Sequence, residues 1–290
     1  MRCRLATVAV LGTTALLSTP DGAAAWGSAG HRAIGEIASH YLTPRARLEV
    51  ERLLEPGPYE TLAAAGYWAD AHARLYRAYD EYLRRHYVDV DPGADRIVLE
   101  RDCPEDCILT AIDSLTGSLR QGEPPLWLRA QDFRFLVHFV EDLHQPLHVG
   151  HPDGRGGNLT DVLLFEEETD LHSAWDWGLI ERRLEAFEED GTLAADEVPA
   201  WQEWAHELRL EITPDEVESW SAPLDPLVWA HESLESARRL TFDVASGERL
   251  DEAYYAAALP LIEQRIKMAG VRLAALLNDI FDRDPAGQSR

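Results

Sequence analysis

The chain has 290 residues, is 46% hydrophobic and carries a formal net charge of -25 at pH 7. That length suffices for one large domain or two small ones with a substantial core, and the acidity excludes the basic surface on which simple electrostatic nucleic-acid binding depends. A polyanionic partner would have to meet positive charge brought by bound cations.

The opening segment reads as removable. Arg2 and Arg4 give a positive start, Ala6 to Leu17 is apolar and Ala23-x-Ala25 offers small residues at a cut, which is the pattern of a secretory signal peptide over residues 1–25. The apolar run is well short of the roughly 20 residues that a spanning helix needs. No later segment is apolar enough to span, so the expectation is an exported protein, periplasmic or secreted, with no membrane anchor after processing. Cleavage would leave a domain of residues 26–290 beginning Trp26-Gly27-Ser28-Ala29-Gly30-His31. The freed amine and carbonyl of Trp26 could then chelate a metal together with His31.

Helical periodicity dominates from Gly30 onward. Gly30 to Leu42 places Ile34, Ile37, Ala38 and Tyr41 on one face and stops at Thr43-Pro44, where Thr43 can cap the next helix. The same period predicts helices over Cys107 to Leu119, Gln131 to His144, Ala174 to Phe187, Pro226 to Leu240 and Ala253 to Phe281. Extended pieces are expected at His86 to Val90, Ile97 to Leu99 and Val162 to Phe165, as small hairpins. Gly- and Pro-rich stretches at 56–58, 122–125 and 150–157 read as connections within a domain, since no long polar run separates them and no internal repeat is visible. The fold class expected is all-α: one mainly helical domain with small β-hairpins.

Cys3 departs with the signal segment, leaving Cys103 and Cys107 at a Cys-x-x-x-Cys spacing. In an oxidising compartment this favours a short local disulfide. A zinc role for the pair stays open but would need two more ligands, which the adjacent sequence does not offer.

The chemistry concentrates in His138-Phe-Val-Glu-Asp142-Leu-His144-Gln-Pro146-Leu-His148. Residues four apart share a helix face, so His138 and Asp142 can reach the same ion. Pro146 should end or kink that helix and swing His148 elsewhere. His172 and Asp176 repeat the spacing at the start of another predicted helix. A lone histidine on an apolar helix is ordinarily a hydrogen-bonded core residue; two such pairs plus a histidine after proline favour ligation instead. Mixed imidazole and carboxylate donors suit zinc, whereas calcium or magnesium would take oxygen alone.

Trp26-Gly-Ser-Ala-Gly-His31, Trp68-Ala-Asp70, His86-Tyr-Val-Asp89, the 138–148 run, Gly156-Gly157-Asn158, Leu171-His-Ser-Ala-Trp-Asp176 and Ala269-Gly-Val-Arg272-Leu-Ala with Leu277-Asn278 together resemble the zinc-dependent single-strand-specific nucleases and 3′-nucleotidases of the S1/P1 type. The likeness runs over essentially the whole chain from Trp26 in the expected order. It implies a helical fold of the phospholipase C and S1/P1 nuclease kind with three zinc ions in one cleft. Carried over by position, Asp70, His86, His138 and Asp142 would hold one zinc; the Trp26 amine and carbonyl, His31 and a bridging Asp142 its neighbour; His148, His172 and Asp176 the third.

The resemblance also implies hydrolysis of single-stranded RNA and DNA to 5′-phosphate products, with 3′-nucleotides as further substrates and no stable protein partner. Water activated between the paired zincs would attack phosphorus while the third stabilises the departing oxygen, with Asp70 orienting the nucleophile as well as ligating. Tyr87 occupies a position where the family places a ring for the unstacked base, the alternative being a strand residue facing the core. His144 and Asn158 are expected behind the ligands, His144 orienting one of them or satisfying backbone groups and Asn158, within an Asn-Leu-Thr glycosylation sequon, shaping a turn. Trp68 and Trp175 are expected to pack beside the ligands. Family members carry an arginine shortly after the aspartate matching Asp70. Strict offset lands on Ala73, and Arg74 follows one position later, rotated by about 100° on a helix. Eukaryotic members also have more disulfides than this chain can form.

Two rival readings stand beside the nuclease. A zinc phospholipase C shares the N-terminal tryptophan chelate and a His-x-x-x-Asp element, but the Trp26 to His31 interval is short for it and Asp176 stands where glutamate is expected. A non-catalytic exported zinc-binding protein would not require ligands drawn from so many separated segments.

Overall fold

The computed structural model describes residues 26–57, 59–73, 84–91, 93–121, 124–189 and 198–283. The expected signal segment and Arg74 lie outside the described residues.

In chain order the elements are α1 (Gly27–Tyr41), α2 (Pro44–Leu54), α3 (Leu62–Gly66), α4 (Trp68–Ala73), α5 (Leu99–Asp102), α6 (Ile108–Gln121), α7 (Leu126–Asp142), β1 (Asp161–Leu164), β2 (Glu167–Asp170), α8 (Leu171–Ser173), α9 (Leu179–Glu189), α10 (Ala200–Glu211), α11 (Pro214–Trp220), α12 (Pro226–Leu240), β3 (Glu248–Leu250) and α13 (Glu252–Asp282). The mainly helical class expected from the sequence holds. The sheet is small, in order β2-β1-β3, with β1 antiparallel to β2 and parallel to β3.

Local chemistry sets the boundaries. Thr43 accepts from the amide of Ala46 and Pro44 opens α2, where a missing N–H costs nothing. Asp225 with Pro226 starts α12 in the same way, and Thr213 with Glu216 forms a reciprocal capping box on α11.

Two of the expected extended pieces are not strands. Arg84–His86 is a 3-10 turn, and the segment after it runs irregularly, with Val88 donating to the carbonyl of His148 at 2.9 Å. Around Ile97 the chain instead enters α5 at Leu99. Only the third piece survives, as β1 of the β1–β2 hairpin.

The core gathers around α1 and α7. Helix α1 packs against α13, α3 and α10, and buries Ile34 and Ile37 completely. Helix α7 is buried nearly all round over its C-terminal half, where Phe133, Leu136, Val137, Phe139 and Val140 are fully buried. Each such side chain contributes about 1.5–3 kcal/mol over its exposed state. This burial places the last turn of α7, with His138 and Asp142, in the interior.

Candidate metal centre

Helix α7 ends at Asp142, earlier than the periodicity of 131–144 suggests. Gln145 then takes an extended backbone, its side chain accepts from the amide of Leu147, and Pro146 opens a 3-10 turn that carries His148. Proline therefore starts a new turn here instead of kinking the old one. His172 and Asp176 project from a continuous helical stretch that loosens into a π turn over Ala174–Gly178.

These segments bring the expected side chains into one buried cluster. His31 Nε2 stands 3.7 Å from Asp70 Oδ2 and 3.5 Å from Asp142 Oδ1. His138 Nε2 lies 3.5 Å from Asp70 Oδ1 and 3.1 Å from Asp142 Oδ2, and His86 Nε2 lies 3.9 Å from Asp70 Oδ1. His172 Nε2 meets Asp176 Oδ2 at 3.1 Å, beside His148. Three groups result: His31, Asp70 and His138; His86, His138 and Asp142; His148, His172 and Asp176, each with ligand atoms within 4.8 Å of one another. Both Asp70 and Asp142 offer one oxygen toward His31 and the other toward His138.

The tautomers can be read from the backbone. A carbonyl only accepts, so His138 Nδ1 on Gly66 O (2.7 Å), His148 Nδ1 on His86 O (2.5 Å) and His172 Nδ1 on Gly156 O (2.7 Å) must each carry the ring proton. Their Nε2 atoms, and both oxygens of Asp142, are buried without a hydrogen-bond partner. A nitrogen lone pair 3.1 Å from a carboxylate oxygen, as at His138 and Asp142, is repulsive unless a proton or a metal cation lies between them. Two donors about 2.0–2.1 Å from a tetrahedral zinc lie roughly 3.3–3.4 Å apart, which falls within the spacings found. The donor set therefore fits zinc.

The same crowding displaces the acid–base equilibria. Burial pushes the Asp142 carboxyl up to about 6 against the opposing pull of His138. Burial also works against charging His138, yet Asp142 and Asp70 outweigh it and hold the imidazole up at about 9. His172 reaches about 9 through Asp176 in the same manner, whereas burial and then His172 drive His148 well below its ordinary value.

Surrounding groups orient these candidate ligands. Gln145 Nε2 donates to Asp176 Oδ1 at 2.5 Å, and Glu141 Oε2 sits 2.6 Å from His31 Nδ1. A side chain at Gly66 would strike both carboxylate oxygens of Glu141. Gly156 and Gly157 adopt φ of 61° and 87°, and Asp153 gathers their loop by accepting from Arg155, Gly157 and Leu159 amides. The Cys103–Cys107 disulfide expected from spacing is present, so neither of these two sulfurs is a thiolate for zinc. Its loop supplies Asp106 and Glu105 to Arg85 and Arg84, just ahead of His86.

Other expectations fare variously. Trp26 is fully buried in a left-handed conformation with φ 41°, its indole donating to Glu141 O at 3.0 Å. Tyr87 is 40% exposed, so it does not face the core. Trp68 stacks on His72, and Trp175 donates to Tyr254 Oη at 2.9 Å. Asn158 is exposed and closes the turn by donating to Arg155 O at 2.8 Å; it does not back a ligand, because the Gly156 carbonyl does that.

His144 satisfies backbone, donating to Val140 O at 2.7 Å, and its Nε2 accepts from Arg272 at 3.2 Å. It belongs to a buried network in which Arg265 donates to His144 O and Ser233, and Arg272 pairs with Glu232. The residues that reading the sequence missed are Glu141, Gln145, Asp153 and Arg265. Glu141 and Gln145 adjoin named motif positions, which was the available signal.

With this geometry in place, the comparisons with known proteins are specific. The S1/P1 Nuclease family profile matches residues 26–282. Endonuclease 3 of Arabidopsis thaliana is 30% identical over 293 residues, covering 96% of this chain and 95% of that protein. Nuclease P1 of Penicillium citrinum is 26% identical, covering 90% of this chain and 100% of its own length. Nuclease S1 of Aspergillus oryzae is also 26% identical, with 90% and 93% covered.

Proposed function

This chain belongs to the S1/P1 nuclease family, and from that premise we propose that it is an exported trinuclear-zinc phosphodiesterase. It hydrolyses single-stranded RNA and DNA to 5′-phosphate products and acts on 3′-nucleotides. The observation that carries this reading is the set of three adjoining buried His/Asp groups at metal-ligand spacing, two of them joined through shared His138.

His31, with the Trp26 terminus and Asp142, would hold one ion; Asp70, His86, His138 and Asp142 a second; His148, His172 and Asp176 the third. Zinc, when bound, supplies Lewis-acid charge for a phosphoester and acidifies water for attack on phosphorus. Asp70 orients the attacking water by accepting its hydrogen, since its two oxygens point to either side of the cluster. Tyr87, exposed beside His86, offers a face for an unstacked base, which favours single strands because a paired base cannot leave its partner without cost. The small residues at 23–25, and a family profile whose match begins at Trp26, support processing ahead of that residue.

The matured, zinc-loaded protein should cleave single-stranded DNA, RNA and 3′-AMP, leaving duplex DNA and phosphatidylcholine largely intact. Turnover of the lipid alone would defeat the nuclease reading, and zinc uptake without any turnover would defeat catalysis.

A further inference from the structure

The His31 imidazole differs in kind from three of its neighbours. His138, His148 and His172 each give their Nδ1 proton to a neutral backbone carbonyl, whereas His31 Nδ1 meets the carboxylate oxygen Oε2 of Glu141 at 2.6 Å, with both residues fully buried. The surrounding chain is built for this contact. The Trp26 indole holds the Glu141 carbonyl at 3.0 Å, and residue 66 lacks the side chain that would displace the carboxylate. The second oxygen, Glu141 Oε1, is buried without a hydrogen-bond partner. The carboxylate is therefore anchored through the ring it touches.

We propose that Glu141 is a positioning residue for the His31 subsite: its carboxyl oxygen Oε2 accepts the Nδ1–H hydrogen bond and aims Nε2 toward Asp70 and Asp142. A carboxylate behind a ligating imidazole makes that nitrogen a stronger donor than an amide carbonyl does, and losing such a partner typically weakens metal affinity about 10–100-fold. The ion held by His31 is accordingly the one that depends on Glu141. This inference rests on the proposed zinc centre and deepens it.

The test is zinc counting on matured protein, with affinities from competition against a chromogenic chelator. Glu141→Gln should lose affinity about 10–100-fold for a single zinc, and the remaining ions should bind as in wild type. Unchanged binding of every ion, or equal weakening of all, overturns the inference while leaving the zinc reading intact. A wild type that takes up no zinc defeats the zinc reading and this inference with it.

Because Glu141→Gln alters a buried group, nitrogen-15 imidazole spectra of the zinc-loaded wild type give a test without mutation. The Nδ1–H of His31 should resonate downfield of those of His138, His148 and His172. A His31 ring protonated on Nε2, or an Nδ1–H no different from the others, overturns the proposal.

Discussion

Gly66 acts through the atom it lacks. Its carbonyl receives the Nδ1 proton of His138, and its missing side chain leaves room for both oxygens of Glu141. Gly66→Ala should therefore destabilise the fold by about 1–3 kcal/mol in urea titrations, the cost of forcing a methyl into a filled interior. Gly117→Ala inside α6 is the control: its site is open, so it should be neutral or stabilising. At this scale the sequence was generous with candidate ligands, because His-x-x-x-Asp places two donors on one helical face. It was silent about Glu141, since a glutamate beside an aspartate near a helix end looks like ordinary solvated charge. Arg265 was hidden for the same reason: only packing decides that a guanidinium in a long helix turns inward.

Among elements, the loop after the 3-10 turn at Pro146–Val149 carries a pH dependence. Burial raises the Asp153 carboxyl, but the amides of Gly157, Arg155 and Leu159 outweigh that and hold it at about 2. Because this lies below the ordinary carboxylate value, the folded state is favoured above about pH 4, and that contribution disappears as pH falls toward about 2. Asp153→Asn at neutral pH should mimic the acid state. Amide exchange at Gly157 and Leu159 should accelerate roughly tenfold for each 1.4 kcal/mol of bonding lost, at about 1–2 kcal/mol in all. Unchanged exchange rates would show that the loop is held by other contacts.

Boundaries with a strong cap were readable, as at Asp225-Pro226. Helices α10 and α11 were overlooked, although Thr213-Pro214-Asp215-Glu216 is a capping box in plain view. The segment from His86 alternates apolar and polar residues as a strand does, but its backbone bonds to isolated partners at His148 and Ile108, so no ladder forms.

For the whole molecule, candidate ligands come from segments spread between Trp26 and Asp176, and the terminus itself is expected to be one of them. A protein that keeps extra residues ahead of Trp26 should retain its circular-dichroism helix signal yet bind less zinc and lose most activity. Full activity in that protein would rule out the terminal chelate. Among the described residues no helix is long and apolar enough to cross a membrane. The overall class was legible because helical period is repeated over many elements; the way they pack was not, since it depends on contacts far apart in sequence.

Helix α13 contributes none of the candidate ligands, yet it lies along α1, sends Arg265 and Arg272 beneath α7, and joins the α1–α2 corner through Asn278, which bonds Thr43 and Tyr41. It is also translated after every ligand-bearing segment. A ribosome can thus expose His31, His138 and Asp176 long before the brace that fixes them exists. The contacts that brace this cluster from α13 therefore form only after synthesis has run past Asn278.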